Sequence, residues 1–265
     1  IETDLAIDWL KANAGKDKEK PFCLFLSWGP PHSPFVAPAG FDHYKDLTVA
    51  PNVRKGKFDK DRNGYYGMIE ALDGQFGRLV KTLEELGVAD DTIVVYTSDH
   101  GEMMGARNIE KKRQPFRESS QVPLLVRWTG HIEPSTVIDV PIGSVDIQST
   151  LAGLAGLPTP HKQDGADRSG WLLGKEKPTG EEAVFTLLDE GRGDTKGPWR
   201  GCRTAKYNYA RLKDGPFILF DIEKDPYEQD NLVGKDDGLV KKFEDMTQAM
   251  MKKYDVQWPG EAEKA

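Results

Sequence analysis

The sequence predicts an α/β fold that gives way, after about residue 160, to a small antiparallel α+β subdomain. Three observations carry this. Three apolar runs of strand length, PFCLFLSW (21–28), TIVVYTSD (92–99) and VPLLVRW (122–128), are too continuously apolar for half-buried strands and suit strands covered on both faces. A long helical periodicity lies between the first two. Beyond residue 160 the pattern changes to short aromatic or alternating strands separated by turn residues. The expected division is therefore residues 1–160 and 161–265.

Taken in order, IETDLAIDWLKANAG reads as a helix with Thr3 as its cap and Leu5, Ala6, Trp9 and Leu10 on one face, ended by Gly15. KDKEK is a solvated loop, and PFCLFLSW is the first strand, with Cys23 packed as a small buried hydrophobe. GPPHSPFVAP is too rich in proline for regular structure. From Gly64, the residues Tyr66, Ile69, Leu72, Phe76, Leu79, Val80, Leu83 and Leu86 recur at spacings of three and four, and Gly87 supplies a C-terminal cap. After the strands at 92–99 and 122–128, Ser144 is expected to cap a helix through Leu154, closed by Gly156 and Pro158. In the second part, AVFTLLDE, RGCRTAKYNYARL and PFILFDIEK read as strands joined by turns at GRGDTKGP and KDGP. GLVKKFEDMTQAMMKKY closes the chain as a helix that buries Phe243, Met246, Met250 and Tyr254.

Composition narrows the function classes. A net charge of -7 disfavours nucleic acid as the main partner, and no apolar run approaches the length of a membrane span. Two cysteines, Cys23 and Cys202, cannot make a disulfide framework. The sequence opens at Ile1 in a polar segment, without methionine or signal peptide. It reads as the middle of a protein, so localisation is not legible from its start.

Three features carry chemistry. TSDHGE (97–102) sits where an apolar strand ends. An adjacent carboxylate and imidazole followed by glycine can converge on a metal ion, although the same residues also suit an ordinary strand-end turn. His32 is held between prolines in PPHSPF. A rigidly displayed imidazole suits proton donation or anion binding, and a plain surface histidine would look the same. Arg107, Lys111, Lys112, Arg113 and Arg117 crowd the stretch after Asp99. They could neutralise a tetrahedral oxyanion or form a solvated face.

The ordered set of PPHSP, YYGMIEALDGQFGRLVKTLEELGVADDTIVVYTSDHGE, a lysine, ESSQVPLLVRW, VDIQSTLAGLAG and finally RTAKYNYARL with FILFDIEKDPYEQDNL resembles the sulfatases of the alkaline phosphatase superfamily. The resemblance implies the C-terminal part of an alkaline-phosphatase-like α/β/α domain over 1–160, then a C-terminal subdomain over 161–265. It implies hydrolysis of a sulfate ester, on a sulfated small molecule or carbohydrate. Asp99 and His100 match the pair that binds the active-site cation, usually Ca²⁺; some members have histidine at the second position, although calcium prefers oxygen ligands. His32 matches the histidine that meets the sulfate and protonates the leaving oxygen. Lys112 matches the sulfate-binding lysine, with Lys111 and Arg113 as alternatives because Lys-Lys-Arg-Gln replaces the usual Gly-Lys-Gly-Thr. The family's nucleophile, a formylglycine made in a C-x-P-S-R type motif, has no match at Cys23 or Cys202, and the early Asp-Asp pair is also absent. Both are expected in a missing N-terminal segment of the same enzyme, so the isolated chain is expected to be inactive. A phosphodiester or phosphonate hydrolase of the same superfamily, and a truncated non-catalytic binding protein, are the other readings. A periplasmic or secreted location follows from the resemblance alone.

Overall fold

The computed structural model describes residues 1–17, 19–54, 56–159, 161–190, 195 and 197–260. In chain order the elements are α1 (Glu2–Asn13), α2 (Asp59–Glu85), β1 (Val94–Thr97), α3 (Arg117–Ser120), β2 (Leu124–Arg127), α4 (Asp146–Leu154), α5 (Ser169–Leu172), β3 (Ala183–Leu188), β4 (Trp199–Thr204), β5 (Tyr207–Leu212), β6 (Gly215–Asp221) and α6 (Asp237–Lys253). They fall into two units, Ile1–Tyr96 with Leu125–His131, and Thr97–Leu124 with Ile132–Ala265.

In the first unit, α1 buries Thr3, Ala6, Ile7 and Leu10, the i, i+3, i+4, i+7 stripe of an amphipathic helix. This corrects the expected face, since Leu5 is 65% and Trp9 39% exposed. Both stripes are apolar enough to be buried, and the neighbouring α2 selects one, with Arg78 of α2 bonding Asp4 at 2.7 Å. Thr3 is not the cap either. Ile1 holds that position without a side-chain bond, and the Thr3 hydroxyl accepts from Trp28 Nε1 at 3.0 Å. Helix α2 runs 27 residues and begins before Gly64. Gly64 and Gly67 serve close approach: a Cβ on either would fall 2.1 Å from the carbonyl oxygen of Phe35 or Phe41. The loop after His32 therefore lies directly on this helix. Leu10, Ala14 and Leu83 form the local core, with Phe22, Leu79, Leu86, Val88 and Val94 packed around them.

The largest correction concerns residues 21–28. They form no strand, and Phe25 is 91% exposed; Cys23 is exposed rather than buried. A strand exists only through its neighbours' hydrogen bonds. The sheet in this part of the chain has two strands, β1 and β2, each of four residues. Phe22 packs in the core, Trp28 bonds Thr3, and Leu26 is half-buried.

The second unit is organised by an antiparallel sheet of order β3-β4-β5-β6, as expected of the C-terminal subdomain. RGCRTAKYNYARL supplies two strands rather than one, turning at Ala205–Lys206. The expected turn at 191–198 lies mostly outside the described residues. Cys202, Tyr209 and Leu219 are register partners across β4, β5 and β6, so their side chains share one face. Helix α6 covers that face through Val240 and Phe243. Asp236 caps the helix, accepting from Leu239 N at 2.9 Å. Of the expected stripe, Phe243 is buried, Met246 and Met250 pack beside it, and Tyr254 stacks on Phe185 at 5.9 Å. The opposite face carries Arg203, Asn208 and Phe220, which are register partners in turn. Upstream, Ser144 does not cap α4. Val145 holds that position without a side-chain bond, and Asp146, the first helical residue, ties the helix start to its flanking loops by accepting from Gly143 N at 3.0 Å and Ala166 N at 2.8 Å.

Burial pushes the Cys202 thiol up to about 11, so its reactive thiolate is scarce near neutral pH. Iodoacetamide at pH 8 should modify Cys23 alone in the native chain and both cysteines after denaturation, as read by peptide mass spectrometry. Phe243 is 1% exposed against Tyr207 and Tyr209. Phe243→Ala should cost about 3–5 kcal/mol, seen as a lower urea midpoint for the second unit.

Candidate active site

Asp99 and His100 follow the end of β1 in a tightly bonded turn. The Ser98 hydroxyl donates to the His100 carbonyl at 3.0 Å, and His100 N donates to Asp99 Oδ1 at 2.9 Å. His100 Nδ1 lies 2.9 Å from the Gly101 carbonyl oxygen. As the donor in that bond, Nδ1 carries the proton and leaves the Nε2 lone pair available to a metal. Nε2 lies 3.4 Å from Asp99 Oδ2, a separation two ligands of one cation can share. The Asp99 side chain is 82% exposed, and its Oδ1 also accepts from the Ser98 hydroxyl at 3.3 Å. Gly101 N donates to Ser119 O at 2.9 Å, and a Cβ on Gly101 would sit 2.0 Å from Glu118 O. The glycine is thus needed for α3 to press against the Asp–His turn.

Ca²⁺ takes six to eight oxygen ligands at about 2.3–2.6 Å. Asp99 and His100 supply two, and the described residues hold no group of three or more His, Cys, Asp and Glu suited to a metal. The pair fits part of a cation site, and the remaining ligands must come from elsewhere.

The segment after the turn is strained and pinned. Of the eight non-glycine residues with positive φ among the described residues, five lie in it: Met104, Arg107, Asn108, Lys111 and Arg113. Each such conformation costs roughly 1–3 kcal/mol and persists only where the surroundings impose it. Here buried Met103, Ala106 and Ile109, with Met103 N bonded to Lys111 O at 2.7 Å, impose it. The basic stretch is not one solvated face. The Arg107 guanidinium lies 4.0 Å from the Phe116 ring centroid, Arg113 pairs with Glu190 at 2.6 Å, and Arg117 Nη1 bonds Pro226 O at 3.0 Å. Lys111 is exposed and Lys112 half-buried.

A buried carboxylate holds the far end of this segment. Glu228, 1% exposed, accepts at Oε2 from the Arg117 backbone N at 3.0 Å. At Oε1 it accepts from Asn208 Nδ2 at 2.9 Å and Arg203 Nη1 at 3.4 Å. Asn208 also donates to Pro115 O at 2.9 Å, and Arg203 Nη2 to Gln121 Oε1 at 2.9 Å. Burial raises the Glu228 carboxyl above its ordinary range, against the downward pull of Arg117 N, Arg203 and Asn208. Burial likewise lowers Arg203, against the attraction of Glu228. Sequence reasoning missed this network. DPYEQDNL holds three acidic residues, Asp225, Glu228 and Asp230, and burial singles out Glu228 only through strands 20 residues away.

His32 belongs to the first unit, whereas Asp99, His100 and Lys112 belong to the second. Its backbone N donates to Gly29 O at 3.1 Å, and Nδ1 lies 2.9 Å from Ser33 O. The ring is exposed, between the cis bonds Pro30–Pro31 and Ser33–Pro34.

Comparison with known proteins places these features in one family. Residues 2–157 match the family described as Sulfatase, and residues 105–256 match the N-sulphoglucosamine sulphohydrolase C-terminal family. An ulvan-active sulfatase of Formosa agariphila is 35% identical over 229 residues, covering 82% of this chain and 45% of that protein. An endo-4-O-sulfatase of Bacteroides thetaiotaomicron is 29% identical over 290 residues, covering 97% of this chain and 56% of that protein. Among solved structures, the yidJ protein of Bacteroides fragilis superposes with a TM-score of 0.85 at 27% identity, covering 97% of this chain and 58% of that one. The chain thus spans about half the length of the relatives it matches. With the Asp–His turn, the following basic segment and the terminal sheet all lying inside the matched regions, the chain belongs to the sulfatase family of the alkaline phosphatase superfamily.

Proposed function

We propose that the protein carrying this chain hydrolyses a sulfate ester, and that this chain supplies half of the active site. The observation that carries the reading is the Asp99–His100 turn, with Asp99 Oδ2 and His100 Nε2 3.4 Å apart, inside a region of sulfatase sequence. Asp99 and His100 hold the cation, Ca²⁺ in this reading. When bound, that cation offsets negative charge on the sulfuryl oxygens. Lys112 adds a second positive charge there. It takes this role from the order of motifs, with Lys111 and Arg113, the latter paired with Glu190 at 2.6 Å, as the alternatives. His32 donates a proton to the departing alcohol oxygen. The formylglycine nucleophile lies outside these 265 residues, because neither Cys23 nor Cys202 is followed by a matching motif. The division at residue 160 belongs to the same reading. The exposed apolar stretch around Phe25, with Leu125 61% exposed on β2, is where the rest of the enzyme completes the sheet.

Sulfated carbohydrate is the inferred substrate class, in keeping with the names of relatives described as ulvan-active and endo-4-O-sulfatases. A periplasmic or secreted location is part of the proposal. Among the described residues no helix is long and apolar enough to cross a membrane. Phosphonate monoester hydrolase from Agrobacterium radiobacter shares the fold, with a TM-score of 0.76 at 23% identity. A phosphonate ester is therefore the control substrate, and preference for it over the sulfate ester would replace the sulfatase reading.

The 265-residue chain should not turn over 4-nitrophenyl sulfate, whereas the complete enzyme should. In the complete enzyme, Asp99→Ala and Lys112→Ala should each lower kcat/KM by about 10²–10³. His32→Ala should cost more with an alkyl sulfate than with 4-nitrophenyl sulfate, because only the poor leaving group needs the proton. Equal losses on both substrates would remove His32 as the acid. Separately, calorimetric titration should find little Ca²⁺ binding to the chain at millimolar calcium and restored binding once the rest of the enzyme is supplied. Tight binding to the chain alone would point to other ligands.

A further inference from the structure

We propose that Glu228 is a positioning residue through which the C-terminal sheet sets the geometry of both active-site segments of the second unit. This rests on the reading of Asp99, His100 and Lys112 given above. The route is continuous and lies within one unit. Glu228 Oε2 takes the Arg117 backbone N–H at 3.0 Å, which fixes the first residue of α3. The last residue of α3 is Ser120, and its neighbour Ser119 presents the carbonyl that receives Gly101 N at 2.9 Å. Gly101 in turn offers its own carbonyl to His100 Nδ1 at 2.9 Å. On the other side of Arg117, Asn208 holds Pro115 O at 2.9 Å while bonded to Glu228, and Trp199 Nε1 bonds Arg113 O at 3.3 Å. Those contacts fix the residues that immediately follow Lys112.

A carboxylate is required at this point for a chemical reason. Glu228 receives three donors of different kinds: a backbone amide, a side-chain amide and a guanidinium. Only an acceptor-only group with two oxygens can face all three without presenting a hydrogen to one of them. Glutamine has the same shape but turns one oxygen into an NH₂. That group must confront either the Arg117 N–H or the donors from Asn208 and Arg203. Glu228 also sits at a φ of +54°, so the chain accepts backbone strain to aim this side chain inward. An acidic residue buried to 1% exposure is costly unless it is fully bonded, and the groups that bond it lead to the Asp–His turn and to the basic segment.

The test uses Glu228→Gln with two readouts. Lys111, Lys112, Arg113 and Arg117 are trypsin sites inside the segment that Glu228 holds. In native 265-residue chain, E228Q should be cut there about tenfold faster, because cleavage follows the population of the locally opened state. Cleavage elsewhere should be unchanged. In the complete enzyme, under conditions where it stays folded, E228Q should raise KM and lower kcat for 4-nitrophenyl sulfate, together about tenfold or more in kcat/KM, alongside a lower urea midpoint because Arg203 loses its buried anion. If E228Q does not fold, Arg117→Ala removes the parallel tether to Pro226 O from the exposed side and should give a several-fold increase in cutting at Lys111 to Arg113. Unchanged cleavage in both variants would overturn the proposal, as would wild-type kcat and KM in E228Q. A loosened segment in E228Q, together with a complete wild-type enzyme that hydrolyses no sulfate ester, would overturn the sulfatase reading and leave the mechanical link standing.

Discussion

The second unit depends on one buried carboxylate and the three donors that surround it. Glu228 lies against the sheet face that carries Arg203 and Asn208, opposite the face covered by α6. Without the carboxylate, Arg203 and Asn208 would be polar groups on the inner face of a sheet with no acceptor, and the 113–121 segment would have no fixed seat. With it, an irregular stretch containing left-handed Lys111 and Arg113 is held by side chains from β4, β5 and the loop after β6. The net energy of such a buried ionic group is small or unfavourable, because desolvating it costs about as much as the bonds return. Its three bonds tie the segment to β4 and β5 at one point, and a displaced segment would leave the buried carboxylate short of a donor.

The other face of the same sheet stabilises by different physics. Cys202, Tyr209 and Leu219 meet Val240 and Phe243 in a closely packed apolar layer. The two polar atoms in it are paired, the Tyr209 hydroxyl with Glu244 and the Thr247 hydroxyl with Cys202 Sγ at 3.4 Å. Stability is supplied on the α6 side and specificity on the Glu228 side. A platform that is rigid on one face can display strained, functional backbone on the other.

In the first unit the balance is reversed. Its helices pack well, with Leu10 and Leu83 buried between α1 and α2, but its apolar runs have few strand partners. Phe25 at 91% exposure and Leu125 at 61% present apolar area to water in a region whose sequence favours burial on both sides. The loop bearing His32 is nonetheless well seated, because Gly64 and Gly67 let it lie on α2 with carbonyls where a side chain would otherwise be. The general acid of the proposed reaction is therefore carried by the ordered part of this unit.

Local chemistry in the sequence by itself determined much of this protein. The period of α2, the glycine after it, the Asp-His-Gly turn at the end of an apolar run, and the alternation of β3 to β6 with a final amphipathic helix all depend on neighbours within about a dozen residues, and they were legible. The roles given to Asp99, His100, His32 and Lys112 came from the order of motifs. Only the tertiary structure decided what depends on partners far along the chain. It selected Ile7 over Trp9 for the buried face of α1, because α2 packs on one of two plausible stripes. It left residues 21–28 unpaired, because a strand requires edges that its own sequence cannot supply. It stacked or paired three of the basic residues, Arg107 on Phe116, Arg113 with Glu190 and Arg117 with Pro226 O. It also turned Glu228, one acidic residue among 43 acidic positions, into the hub of the second unit, since burial and hydrogen bonding are properties of the assembled environment rather than of the residue.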